Sequence, residues 1–453
     1  MMRATIVGAG EVGFHIADRL AREGLSVTVI EQDADREAEL RSSLNALVLN
    51  GSGASPSTLE DARTQEADLF IAVTDLDEVN LISCLLAREL GVPRTIARVR
   101  SLESDRPSSK LSTSRLGIDV MINPQEVVAE EICRLVSHGS ATGVVEFAGG
   151  RVLVLGYPVG EDSPLAGVQL RELGEMRGLL YRLVITALVR GDQTLVPRGD
   201  DEIQPGDTVY FACNQDELPA VRYLFGLDPD ATPKRVFILG GGRVGRQLAR
   251  KLAARKLQVT IIDRNLSTCE AMARELEDIQ VLRAEGTDLA TLEAEGLGQA
   301  DVFVAVTQDD KANILCALLA RKAGAQRVIC LVDQPELVGL TPSLGIDARV
   351  SPRLATAAAV LQHVRGGAVA SMAMLETGGA EILEFVIPEG NPHLGQALKT
   401  LRVPDDSIVA AIVRHDDVIV PSGDDHLEVD DHVVIFALPE AVARLQRFFG
   451  SGS

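Results

Sequence analysis

The chain states one long pattern twice, and this duplication constrains its fold more than any other feature. Arg3-Ala4-Thr5-Ile6-Val7 runs into GAGEVG (Gly8–Gly13), and just past the middle of the chain Arg235–Leu239 runs into GGGRVG (Gly240–Gly245). DLFIAVTDLDEVN (Asp68–Asn80) answers DVFVAVTQDDKAN (Asp301–Asn313), and LGID recurs at Leu116–Asp119 and Leu344–Asp347. Each LGID is followed by a short strand pattern and a proline, Pro124 or Pro352. Further on, Pro197-Arg198-Gly199-Asp200-Asp201 answers Pro421-Ser422-Gly423-Asp424-Asp425, and both copies close in Phe-Gly, at Phe225-Gly226 and Phe449-Gly450. Whatever the first half folds into, the second half folds into as well.

Each copy has two parts. The first alternates strand and helix signals over about 135 residues, and its strands are short Val- and Ile-rich runs suited to a parallel sheet covered on both faces. The second, of about 85 residues, carries mostly alternating strands with short helices. The expected fold class is therefore α/β: two tandem Rossmann-like parallel-sheet domains, each followed by a small α+β module. The boundaries are 1–136 and 137–226 for the first copy, a Pro/Asp-rich linker at 227–233, then 234–366 and 367–450 for the second. An apolar-periodic helix near Pro124–Val136 or Pro352–Val364 joins the two parts of each copy; crossover, dimerisation and plain packing are all open to it.

A lone GxGxxG says little, but here strand, glycines, amphipathic helix, second strand and acid follow in order twice. Gly8 and Gly240 suit the tight turn. Gly10 and Gly242 let the backbone approach a pyrophosphate at the helix N-terminus, and Gly13 and Gly245 allow close helix–strand packing. Val12 fills the loop between Glu11 and Gly13 in the first copy. Glu31 and Asp263 end the second strands, each at the same spacing from the last glycine of its loop. A carboxylate there accepts hydrogen bonds from ribose hydroxyls and repels a 2′-phosphate, which favours NAD over NADP.

The copies differ in charge. Glu11 stands where the second loop has Arg243, a cation suited to a terminal phosphate, so adenine nucleotides such as ATP or ADP fit the second site better. Solvent-exposed first-turn residues with no ligand role are the plain alternative. Arg98 and Arg100, at the end of a fifth strand, are candidate phosphate clamps, whereas Leu331 and Asp333 replace them in the second copy. Thr74 and Thr307 end the fourth strands at the carboxyl edge, where such sheets bind ligands. Asp75 with Glu78 also reads as a helix-capping arrangement. For Asn80 and Asn313 a ligand contact and a packing hydrogen bond are both open.

Other chemistry is excluded. The net charge of −21 repels nucleic acid and suits a basic partner surface, such as the Lys/Arg-rich inner loops of membrane proteins. Six cysteines lie mostly in apolar runs without a CxxC, as expected of buried free thiols in a reducing compartment. Seven histidines show no metal-ligand spacing, although His426 and His432 flank an Asp-rich turn. No nucleophile arrangement or GxSxG appears, so no catalytic and no metal residue is expected. Met1 leads at once into a strand pattern and no apolar run is long enough to span a bilayer, so a cytosolic chain is expected.

With GAGEVG, GGGRVG, the paired AVT segments and the paired LGID stretches in one duplicated order, the chain resembles the TrkA family: NAD-binding peripheral subunits of Trk potassium-uptake systems, built from tandem RCK (KTN) domains. The resemblance covers essentially the whole chain. It implies a non-enzymatic regulator that binds NAD(H), and ATP or ADP at one of its two sites. It also implies a homo-oligomeric ring, tetrameric, attached to the inner face of the membrane through a TrkH/TrkG-like potassium-translocating subunit. By position, the resemblance assigns dinucleotide contacts to Gly8, Gly10, Gly13, Glu31, Thr74 and Arg98, and to Gly240, Gly242, Gly245, Asp263 and Thr307. Glu31 departs from the commoner Asp by one carbon. An NAD-dependent dehydrogenase, a redox-sensing transcription factor and an RCK-type regulator of potassium efflux or of a channel are the rival readings.

Overall fold

The computed structural model describes residues 2–100, 117–176, 182–191, 193–229, 232–341, 343–364, 369–375 and 379–450. Leu116 of the first LGID and Asp230 and Ala231 of the linker lie outside them.

The first copy opens with β1 (Arg3–Val7), α1 (Glu11–Arg22), β2 (Ser26–Glu31), α2 (Ala34–Ser43), β3 (Leu47–Asn50), α3 (Pro56–Asp61), β4 (Leu69–Ala72), α4 (Asp77–Glu89), β5 (Thr95–Arg98), β6 (Val120–Ile122) and α5 (Pro124–Ser137). Its strands form one parallel sheet ordered β3-β2-β1-β4-β5-β6, with every residue of β4 buried, as a sheet covered on both faces requires. The order reverses between β1 and β4. That switch point leaves a crevice at the strands' carboxyl ends, the usual ligand position in such sheets.

The small module follows as β7 (Gly143–Phe147), β8 (Val152–Pro158), α6 (Leu170–Met176), β9 (Leu183–Arg190), β10 (Gln193–Leu195), β11 (Thr208–Asn214) and α7 (Leu218–Leu224). The second copy repeats the plan with β12 (Arg235–Leu239), α8 (Arg243–Ala254), β13 (Gln258–Asp263), α9 (Leu266–Glu275), β14 (Gln280–Arg283), α10 (Leu289–Ala294), β15 (Val302–Ala305), α11 (Asp310–Lys322), β16 (Arg327–Leu331), α12 (Pro335–Val338), β17 (Ala348–Val350) and α13 (Pro352–Val364). It ends with β18 (Val369–Met374), β19 (Glu381–Val386), β20 (Ser407–Arg414), β21 (Asp417–Ile419), β22 (His432–Ala437) and α14 (Pro439–Phe449). The second parallel sheet, β14-β13-β12-β15-β16-β17, has the order of the first. The antiparallel sheets β10-β9-β11-β8-β7 and β18-β19-β22-β20-β21 are likewise the same topology, read from opposite edges.

The halves do not fold side by side as two sealed copies. The chain divides into two compact units, one of Met1–Val128 with Ser351–Arg365, the other of Ala129–Val350 with Gly366–Ser453. In the first unit α13, supplied by the second copy, packs on α1 and β6. Burial, and then the charge of Arg94 just before β5, push the imidazole of His363 on α13 below its ordinary value. In the second unit the later turns of α5, supplied by the first copy, are tied to α8 and β16. Lys251 reaches Glu130 at 2.6 Å and Arg255 reaches the Ser137 hydroxyl at 2.7 Å. Arg327, Arg94's counterpart in sequence, donates both terminal nitrogens to the carbonyls of Leu135 and Ala141. It is only 6% exposed, and burial lowers its guanidinium to about 10. A buried cation on the carbonyl end of a helix is favourable placement for the helix dipole.

Within the second unit the two small modules share one core. Phe147, Val152, Val154, Ala187 and Ala212 of the first pack with Ala380, Ile382, Ala410, Val434 and Phe436 of the second. This explains why β8 is buried at six successive residues where alternation was expected. One face meets the other module, and the opposite face carries Tyr157 into a cluster with Phe211 and Phe225. All six cysteines are buried. Burial is the main cause raising the Cys213 thiol to about 12. Among the described residues no helix is long and apolar enough to cross a membrane.

Candidate functional site

Both glycine loops lie between the first strand of their sheet and the helix that follows. Gly8 takes φ +89° and Gly240 φ +114°, a region that L side chains rarely adopt. A Cβ at Gly8 would also lie 2.7 Å from Cγ2 of Thr74, so loop and β4 edge touch there. At Gly13 a Cβ would stand 1.9 Å from the Gly8 carbonyl oxygen, and at Gly245 the same distance from that of Gly240. At Gly10 and Gly242, the helix N-caps, it would meet no protein atom within 4 Å. Two glycines of each loop thus serve the packing and one faces open space.

The acids at the ends of β2 and β13 hold the loops in shape. Glu31 accepts the backbone N–H of Ala9 at 2.6 Å and of Asp33 at 3.0 Å. Asp263 accepts from Gly241 and Asn265, both at 2.8 Å. A carboxylate has about four acceptor positions, so lone pairs remain for ribose hydroxyls.

Thr74 and Thr307 sit beside the loops, each clamped by the asparagine six residues on. Thr74 donates its N–H and hydroxyl to Oδ1 of Asn80 at 2.8 and 2.7 Å, while Asn80 Nδ2 donates to the carbonyls of Thr74 and Arg98. Asn313 repeats every contact with Thr307 and Leu331. Both asparagines are fully buried; three of the four bonds of each go to the threonine and the fourth reaches the end of the fifth strand. Of the two readings open to them, the structure assigns packing.

The side chains around the loops differ between copies. Glu11 opens α1 and pairs with Arg353 of α13 at 2.6 Å; Glu11 is 59% exposed, Arg353 only 13%. Val12 is buried behind it. Arg98 and Arg100 converge on Asp75, with Arg98 at 3.2 Å. Burial first, then the charge of Arg100, pull the Arg98 guanidinium below its ordinary value, and Asp75 opposes the fall. Its Nε is buried with no hydrogen-bond partner. The capping expected of Asp75 with Glu78 does not form: the N-cap of α4 is Leu76, without a side-chain cap, and Asp75 pairs with the two arginines. In the second copy Asp309 does cap α11, accepting from Lys311 and Ala312. Arg243 is exposed at the start of α8, Leu331 is buried, and Asp333 donates its backbone N–H to Asp310 at 2.7 Å.

Two cations at the first loop escaped the sequence reading. Arg36 of α2 donates Nε to the Ala9 carbonyl at 3.3 Å and lies 6.0 Å from the centroid of the Phe14 ring. Its place, five residues past Glu31, was the available signal. Arg353 follows the repeated proline Pro352, where Pro124 is followed by Gln125, so the repeat itself marked it as different. Near the Asp-rich turn, His432 hydrogen-bonds Glu384 at 2.6 Å and His426 bonds Glu428 at 3.1 Å. Asp431 instead holds Arg414 through both carboxylate oxygens at 2.9 Å, as Asp207 holds Arg190 at 2.8 Å.

The TrkA-N domain family matches residues 4–124 and 236–352, and the TrkA-C domain family matches 154–226 and 382–450. The Trk system potassium uptake protein TrkA of Halomonas elongata is 34% identical over 459 residues, spanning 100% of this chain and 99% of that protein. The TrkA homolog of Archaeoglobus fulgidus is 35% identical over 449 residues, spanning 99% and 100%. Among solved structures, the GsuK RCK domain superposes with a TM-score of 0.60 at 20% identity, covering 99% of this chain and 95% of that one. The GsuK channel bound to NAD gives 0.59 at 19%, covering 99% and 79%. At that identity they speak for the fold: tandem Rossmann-like and small α+β modules in RCK arrangement.

Proposed function

The chain belongs to the TrkA family of Trk-system potassium uptake proteins, which are transport-system proteins rather than enzymes, and from that premise we propose that it is the nucleotide-sensing regulatory subunit of such a system. In this reading NAD(H) binds the first glycine loop and ATP or ADP the second. The chain works in the cytoplasm, at the inner face of the membrane, as a tetrameric ring beneath a TrkH/TrkG-like potassium-translocating subunit. The observation that carries the reading is the glycine loop formed twice, each with Gly10 or Gly242 open toward ligand space and an acid bracing the turn. The contacts proposed for the first nucleotide are the loop Gly8–Gly13, Glu31, Thr74, Arg98 and Arg100. For the second they are Gly240, Gly242, Arg243, Gly245, Asp263 and Thr307.

Gating then follows from differential affinity. A nucleotide moves the ring between two shapes only as far as it binds one better, and a shift from 1:99 to 99:1 takes about 5.5 kcal/mol, which several sites can share. The test is potassium uptake in cells lacking this chain, rescued by the wild type, by Gly10→Val or by Gly242→Val, with NADH and ATP binding measured on the same proteins. A Cβ at either position meets no protein atom within 4 Å, so these variants are expected to obstruct a ligand more than the fold, which thermal unfolding of each checks. We expect each to lose binding at its own loop and to lose the uptake response to that nucleotide. Full rescue with a normal response by both variants would discard the reading.

A further inference from the structure

The first glycine loop has a cation that neither its own Rossmann domain nor its own copy supplies. Arg353, second residue of α13, comes from the other copy, three quarters of the chain's length away from Gly10, yet it belongs to the same compact unit as the loop. Its guanidinium lies 2.6 Å from the Glu11 carboxylate, which projects from the first turn of α1. That turn carries the unpaired N–H groups and the positive end of the helix dipole, where a pyrophosphate sits in such loops. Gly10 immediately before it faces no protein atom. A planar guanidinium held 13% exposed at such a place is suited to bidentate contact with phosphate oxygens. The carboxylate it now meets is on a side chain 59% exposed, which can turn away into solvent.

Resting on the nucleotide reading of the first loop, we propose that Arg353 is a phosphate ligand of that site, contributed by the second copy, and that the nucleotide's phosphate displaces Glu11 from it. The first site is therefore completed in trans by a helix of the second copy. Phosphate binding at Gly8–Gly13 pulls directly on α13. The second copy has no such arginine at the matching place, where Gln125 follows Pro124, and instead carries its cation in the loop, at Arg243. The two loops acquire a cation by different routes: one borrows its arginine, the other encodes it.

The test uses the full chain carrying Gly242→Val, so that only the first loop is left, with NADH and ADP-ribose as probes in titration calorimetry. Arg353→Gln is expected to weaken both probes about tenfold or more, as loss of a charge-assisted pair to phosphate does, and Arg353→Lys to recover part of the loss. Glu11→Gln is expected to tighten binding. The deciding measurement is Arg353→Gln in the Glu11→Gln background. A phosphate ligand still costs about tenfold there; an arginine that serves only to neutralise Glu11 costs nothing, and that result overturns the proposal. If the parent binds NADH and Arg353→Gln binds it equally well, the proposal fails while the nucleotide reading stands. If the parent binds no NADH, both fall. Unchanged thermal unfolding of Arg353→Gln separates lost ligand contact from lost fold.

Discussion

The two glycine loops share a backbone and the acid that braces it, and differ in the other charged side chains at the loop and at the end of the fifth strand. Gly8 and Gly240, Glu31 and Asp263, Asn80 and Asn313 make the same contacts in both copies, to within a few tenths of an ångström. Around that common frame the first copy gathers Arg36, Arg98, Arg100 and Arg353 against Glu11, Glu31 and Asp75. The second offers Arg243 at the loop and Leu331 where Arg98 stood. The difference separates two demands on such a loop: steric closeness admits almost no variation, whereas the electrostatic lining can be remade without disturbing it.

The largest expected effect tests the common part. Gly13→Ala and Gly245→Ala each drive a methyl to 1.9 Å from a backbone carbonyl oxygen, so both should lose on the order of 3 kcal/mol in chemical unfolding. Gly10→Ala and Gly242→Ala should stay within about 0.5 kcal/mol. A large gap between the Gly13 and Gly245 values would break the claim that the frames are equivalent. Exchanging the loop charges comes next. Glu11→Arg should raise ATP affinity at the first loop, and Arg243→Glu should lower it at the second, each by about tenfold in calorimetry. If neither moves, the lining does not select the ligand.

The smallest effect concerns how the exchanged helices are fastened. Burial alone would raise the Glu130 carboxyl, but the hydrogen bond and charge of Lys251, with Arg134 and Arg255, outweigh it and hold the group below its ordinary 4.5. A carboxyl depressed in the folded state gives stability that is present above that value and fades as the pH falls below it. Lys251→Met should therefore lower the unfolding midpoint slightly near neutral pH, and its difference from the wild type should shrink as the pH falls through the acid range. An offset that persists unchanged into acid would show that the lysine acts through packing of its stem.

Much of this was legible in the residues. The duplication dictated two like sheets, and the Val- and Ile-rich runs became the fully buried β4, β15 and β16. The positions of Glu31 and Asp263 followed from the spacing. What escaped were relations between distant segments. An apolar stripe such as that of α13 says that a face is covered and not by which copy, and two identical sheets offer equally good surfaces. The exchange shows in single side chains, Arg353 meeting Glu11 and Arg327 meeting the end of α5, that no periodicity reveals. Asp75 was misread for a related reason. Local spacing suggested a cap, while two arginines at the end of β5, beyond the whole of α4, held the stronger claim on a carboxylate.

The core shared by the two small modules sets a timetable for synthesis. Phe147, Val152 and Val154 emerge early, but the residues that cover them, as far as Phe436, follow only near the end of the chain. At roughly 5–20 residues per second, that leaves an apolar sheet face open for about 15 to 60 seconds on a ribosome-bound chain. The first Rossmann-like domain likewise waits for α13. A chain stopped after the first copy therefore carries one uncovered face on each of its modules, and both invite association with a second nascent chain.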